Sequence, residues 1–172
     1  YHIRTWRVPF AGDPLRARLP LVYGPNTVLS VAKPSAGSPE REFFRNGEKH
    51  ELYYVQEGSG AFHTEYGEVA FRQGHYVVLP KGVTYRVSLA SKTAWFLILE
   101  SNSLIEFPPH YLNHAGQAKL MAPIIETEIE LPKLRAAVDR RGEFEILVKH
   151  GGGAITRLTL GHHPFDLTGW EG

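Results

Sequence analysis

The stretch Glu51-Leu-Tyr-Tyr-Val-Gln-Glu-Gly58-Ser-Gly60, followed by Gln73-Gly74-His-Tyr-Val-Val-Leu-Pro80-Lys-Gly82-Val-Thr-Tyr85, decides the fold. In each part a short run rich in β-branched and aromatic residues ends on glycine, or on proline with glycine. The punctuation continues through the neighbouring sequence. Glu51–Gln56 stops at Gly58 and Gly60, Ala61–Tyr66 at Gly67, Val69–Arg72 at Gly74, and Tyr76–Leu79 at Pro80-Lys81-Gly82; Val83–Leu89 and Thr93–Glu100 follow. Short apolar runs with turn residues at this spacing predict an all-β antiparallel sandwich or small barrel.

Outward from this core the signal weakens. Residues 1–42 are rich in Pro, Gly and Arg, and the runs Leu19–Val22 (broken by Pro20) and Thr27–Val31 suggest an irregular arm with early strands. Residues 102–123 carry Pro108, Pro109, Gly116 and Pro123 and read as a long connection. Beyond it, Ile124–Glu130, Phe144–Lys149 and Ala154–Leu160 are expected strands. Leu134–Val138 is expected to form a helical turn, and Gly151–Gly153 a hairpin. The division read from this pattern is an arm over 1–42, a barrel core over 43–101, and a connection with further strands and a junction over 102–172.

Composition narrows the function classes. With 42% hydrophobic and 22% charged residues the chain can bury a core and is not disordered. A formal charge of +1 with no Lys/Arg run gives no field for nucleic acid or an anionic membrane. The longest apolar run, Ala94–Leu99, falls far short of the ~20 residues that span a bilayer. The absence of cysteine excludes disulfides and thiol nucleophiles. With no secretory signal in view, a cytoplasmic place is expected. The chain opens without Met and stops just after an aromatic, proline-rich segment, so a continuation is expected.

The two quoted stretches resemble the signature motifs of the cupin superfamily, which implies a cupin-type jelly-roll. Metal-binding cupins supply two His and a Glu from the first motif and a further His from the second. Aligned on Tyr54-Val55-Gln56-Glu57-Gly58, the paired His positions hold Arg45 and Gly47, the carboxylate position holds Glu51, and Tyr85 replaces the last His. Glycine donates nothing and a guanidinium repels a divalent ion. The resemblance therefore implies a barrel without metal, and Glu51 reads as a strand-end carboxylate facing Arg45.

A narrower resemblance covers most of the chain. Phe43-Phe44-Arg45-Asn46-Gly47, Thr64-Glu65-Tyr66-Gly67, Pro80-Lys81-Gly82-Val83-Thr84-Tyr85-Arg86-Val87 and Pro164-Phe165-Asp166-Leu167-Thr168-Gly169-Trp170-Glu171-Gly172 are similar, in the same order, to segments of the N-terminal half of homogentisate 1,2-dioxygenases. That family implies a two-part protein whose second cupin binds Fe(II) through two His and one Glu. It cleaves homogentisate with O2 to maleylacetoacetate. The partners implied are a C-terminal cupin half, a small aromatic substrate, and further copies of the chain in trimers or dimers of trimers. No catalytic, cofactor-binding or metal-binding residue is expected within these 172 positions.

The remaining histidines do not form a ligand set in sequence. His110 and His114 would share one helical face, but no Glu lies between them and no third ligand is evident. The adjacent His162 and His163 point to opposite faces if extended, which suits a junction better than one ion. His50, His63 and His75 lie in or beside expected strands, none with a second His two residues away. The aromatic set Phe43, Phe44, Tyr53, Tyr54, Tyr76, Trp95 and Phe96 is expected to fill the barrel. A stand-alone degenerate cupin holding a small ligand at its mouth is the alternative to the dioxygenase reading.

Overall fold

A computed structural model describes residues 2–166. Among the described residues, eleven strands fold into two facing sheets. The first has the order β1-β2-β9-β4-β7, with β1 Arg18–Tyr23, β2 Thr27–Ala32, β4 His50–Glu57, β7 Tyr76–Leu79 and β9 Trp95–Ser101. The second has the order β11-β10-β3-β8-β5-β6, with β3 Glu42–Asn46, β5 Ser59–Thr64, β6 Gly67–Arg72, β8 Thr84–Leu89, β10 Arg141–Lys149 and β11 Ile155–His162. This is an all-β cupin-type barrel. One pair departs from the expected antiparallel rule: β10 runs parallel to β3, with Ile146 opposite Phe43 and Leu147 opposite Phe44.

Alternation along each strand sorts the side chains. In β4, Glu51, Tyr53 and Val55 are buried while their neighbours face outward. In β9, Phe96, Ile98 and Glu100 do the same. The interior is a cage of rings: Phe62 lies 4.9 Å from Tyr53, 5.4 Å from Phe71 and 5.8 Å from Tyr85, centroid to centroid. The expected aromatic core is corrected by this period of two. Phe43, Phe44, Tyr53 and Phe96 are buried, but Tyr54 and Tyr76 stack on each other on the outer face. Trp95 lies outside the core and faces the ammonium of Lys33 at 4.7 Å.

The early strands are not peripheral. β1 pairs with β2, and β2 with β9, so residues 18–32 form one side of the barrel's first sheet. Pro20 sits in an edge strand, where a missing N–H costs least. β3, absent from the expected strands, fills the place between β8 and β10. The hairpin at Gly151–Gly153 joins β10 to β11.

Two expectations fail between β9 and β10. Ile124–Glu130 is not a strand; it contains only a 3-10 turn at Glu126–Glu128. Leu134–Val138 is not helical. An isolated segment gains nothing from β propensity without a neighbouring ladder. Here Ile125, Ile129, Leu131 and Leu134 are exposed, and the segment's backbone meets the sheet in one isolated bridge, Glu68–Lys133, beside the ion pair of Arg135 with Glu68. Gly67 permits that approach: its φ is +124°, and a Cβ there would stand 2.2 Å from the carbonyl oxygen of Lys133.

Candidate functional site

The barrel interior contains an ion cluster where a cupin of this resemblance would hold its metal. β4 places Glu51 and Tyr53 two residues apart on the inner face, and β9 places Glu100 directly opposite Glu51. β8 brings in Tyr85. From β1, Arg18 reaches across the barrel, and one of its terminal nitrogens donates to Glu51 Oε1 at 2.7 Å and to Glu100 Oε1 at 2.9 Å. The other donates to the Tyr53 hydroxyl. Tyr85 donates to Glu51 Oε2 at 2.7 Å and lies 2.7 Å from the Tyr53 oxygen. Glu100 Oε2 accepts from Asn46 at 3.3 Å and from the ammonium of Lys149.

Burial and mutual contact shift four members of this cluster, Arg18, Tyr53, Tyr85 and Glu100. Burial disfavours a charged Arg18, but the phenols and carboxylates around it outweigh that and hold its pKa well above the ordinary value. Burial, with Glu51 adding to it, pushes the Tyr85 hydroxyl up; Tyr53 is raised as well, by burial first. Glu100 also suffers burial, yet Arg18 and Lys149 pull its carboxyl below the ordinary range. These directions move Arg18, Tyr53, Tyr85 and Glu100 away from neutral pH, which suits a cluster that holds a geometry.

An iron ion does not fit these residues. Both oxygens of Glu51 are already engaged, one by a permanent cation and the other by a phenol. Arg45 does not face Glu51, as the sequence suggested; it donates to Thr84 Oγ1 at 2.8 Å. Gly47 lies so close to β10 that a Cβ would stand 2.9 Å from the Lys149 carbonyl oxygen. Among the described residues, no group of three His, Cys, Asp or Glu side chains could hold a metal. Arg18 was not foreseen. In sequence it is one of two arginines, with Arg16, just before the apolar run Leu19–Val22, and nothing there tells which of them reaches the interior.

A family model described as Homogentisate 1,2-dioxygenase N-terminal matches residues 30–172. The chain belongs to this family. Among curated relatives, a Saccharolobus solfataricus protein provisionally named a dioxygenase is 31% identical over 172 residues, covering 100% of this chain and 44% of its own length. A homogentisate 1,2-dioxygenase of Bradyrhizobium diazoefficiens is 27% identical over 136 residues, covering 76% of this chain and 28% of its own length. The chain thus spans less than half of either relative. Solved structures similar to it include the Schizosaccharomyces pombe Cnp3 cupin domain, with TM-score 0.46, 12% identity, and coverage of 50% of this chain and 64% of that one. A cupin protein of Bacteroides fragilis has TM-score 0.43, 19% identity, and coverage of 59% and 89%.

The other histidines of this family member are scattered. His110 lies in a 3-10 turn over Pro109–Tyr111 and His114 in a following turn; no helix carries both. His162 is exposed and His163 buried, as opposite faces require. His163 Nδ1 accepts from the Phe165 amide at 3.0 Å, and its ring packs against Phe43, Phe144 and Phe165. Pro164-Phe165-Asp166 is therefore anchored; Leu167–Gly172, the rest of that motif, lies outside the described residues. His50 accepts from the Lys81 amide at 3.1 Å, and His75 is an isolated, half-buried side chain. His63 lies 2.7 Å from Ser88 Oγ and 3.2 Å from Glu68.

His63 and His163 carry a pH dependence. Burial lowers both, helped by Arg86 at His63 and by Arg140 and Arg86 at His163. The folded chain therefore binds these protons more weakly than the unfolded chain. Stability should begin to fall as pH drops below about 6.5, the ordinary histidine value. Below about 4.5 it should fall further, as Glu100 takes a proton in the unfolded chain that its depressed carboxyl resists in the folded one. Thermal melts from pH 7.5 to 5.5 should show a declining midpoint that flattens in a His63→Gln/His163→Gln variant; an unchanged or rising midpoint in the parent would contradict the assignment.

Proposed function

We propose that this chain is the metal-free N-terminal cupin of a ring-cleaving dioxygenase of the homogentisate type. The complete protein takes homogentisate and O2 to maleylacetoacetate, with Fe(II) bound by residues outside this chain. Here the chain supplies a rigid barrel that packs on a C-terminal cupin half and on neighbouring copies in a trimer or dimer of trimers. The observation that carries the reading is Arg18: a guanidinium bound to Glu51 takes the place of the ion, so the metal chemistry of the family belongs elsewhere in the protein. The greater length of the relatives supports a second part.

The test uses the complete protein. Homogentisate-dependent O2 uptake with one equivalent of ring-opened product is expected, and Glu51→Gln should leave iron content unchanged. Iron present without turnover would reject the substrate, and loss of iron in the variant would reject the metal-free assignment. A second reading, a ligand-binding cupin without catalysis, draws support from a cavity of about 510 Å³ at the barrel mouth. A complete reading frame that adds no second cupin would favour it.

A further inference from the structure

The two sheets differ on their outer faces. Residues directly opposite each other on antiparallel strands share a face, so the register orders each face into rows. On the second sheet an outward row is charged: Arg86 stands opposite His63, and His63 opposite Glu68. The first sheet instead presents two apolar rows across all five strands, a width of about 20 Å. One row runs Val22, Leu29, Leu99, Leu52, Val78. The next runs Leu19, Val31, Leu97, Tyr54, Tyr76. Neither contains a charge, and a polar row of Thr27, Ser101 and His50 borders them.

An antiparallel sheet with one solvated face places apolar side chains inward and polar ones outward. The first sheet breaks that pattern, since its inner face already holds Tyr53, Phe96 and Ile98 in the core. Val31 is covered within the chain, but Leu19, Val22, Val78 and Leu97 are between 38% and 49% exposed. Leu29, Leu52, Tyr54 and Leu99 are half-buried. A contiguous apolar patch with a polar border has the anatomy of a protein–protein interface.

Two observations identify what covers it. The rows carry no charge, so the face can meet its own copy across a two-fold axis without like-charge repulsion. The described chain also leaves on the opposite side: Phe165 packs with Phe43 and Phe144 on the outer face of the second sheet. A C-terminal half that follows Asp166 starts from that side, which leaves the five-strand face to a second copy. We propose that the outer face of the first sheet is a two-fold contact between copies of this chain, centred on Leu97 and Leu99 of β9, the middle strand of its sheet. This contact rests on the packing of neighbouring copies proposed for the complete protein, and it gives that packing a surface.

Sedimentation velocity on the complete protein tests the contact with two variants, Leu97→Glu and Leu97→Lys. The parent is expected to assemble. Each variant alone should sediment at half the parent mass, its self-association at least about tenfold weaker, because like charges then meet across the axis. Mixed in equal amounts, the two variants place opposite charges together and should regain the parent mass. Circular dichroism checks that both keep the parent's strand signal; if either loses it, Val78→Glu and Val78→Lys carry the same comparison from the edge strand β7. Variants that assemble as the parent does would reject this face while leaving the assembly intact. A mixture that stays at half mass would also overturn the contact, and would show that something other than a second copy lies on the face. A parent that sediments as a single chain at every concentration would reject the assembly itself.

Discussion

Arg18→Met should destabilise the folded chain by about 3–5 kcal/mol, read as a shift in urea midpoint at unchanged slope. The size follows from what the substitution leaves behind. Glu51 would keep only the Tyr85 hydroxyl, inside a barrel where it is 1% exposed. Glu100 would keep Lys149 and Asn46. An orphaned buried carboxylate costs more than its ion pair contributed. Two signatures separate this cause from simple loss of packing. The variant should regain part of its deficit relative to the parent as pH is lowered from 7 toward 5, because a carboxyl without its cation takes a proton more readily when folded. Adding Glu51→Leu should restore stability, with a coupling of at least about 1 kcal/mol between the two changes. A loss below about 1 kcal/mol, or strict additivity, would show that the guanidinium does not organise the cluster.

Phe62→Ala should be comparably damaging, at about 3–5 kcal/mol. Its ring has no exposed surface and stands among Tyr53, Phe71, Tyr85 and Phe96. The hole left cannot close without moving strands of both sheets, and two of its neighbours anchor the ion cluster. Tyr76→Ala is the matched control: it removes a large, exposed ring that packs beside Tyr54 on the outer face, and should cost about 1 kcal/mol or less. Equal losses at the two positions would refute the division between inner and outer aromatic faces.

That division shows what the sequence could and could not reveal. Strand ends between His50 and Ser101 were legible because glycine and proline mark them chemically. Tyr54 and Tyr76 were misplaced because composition was read without the period of two that assigns Glu51, Tyr53 and Val55 inward and their neighbours outward. Ile124–Glu130 carried strand-like residues, but whether a partner ladder lies beside them depends on packing of the whole chain. Arg45, Gly47 and Tyr85 stand where the cupin resemblance places histidine, and the sequence alone displays that. The ion cluster was not legible, since Arg18 lies far from Glu51 in sequence and only the β1-β2-β9-β4 order brings them together.

The parallel pairing of β10 with β3 has a consequence for synthesis. Residues 42–46 cannot acquire their second neighbour until the chain has been made past residue 149, and Glu100 waits for Lys149 over the same interval. A nascent chain ending near Ser101 would present an open sheet edge beside a carboxylate lacking one of its two cations. Such long-range closure places folding in the millisecond-to-second regime of β-barrels and makes the unfinished edge the point most exposed to association with other chains.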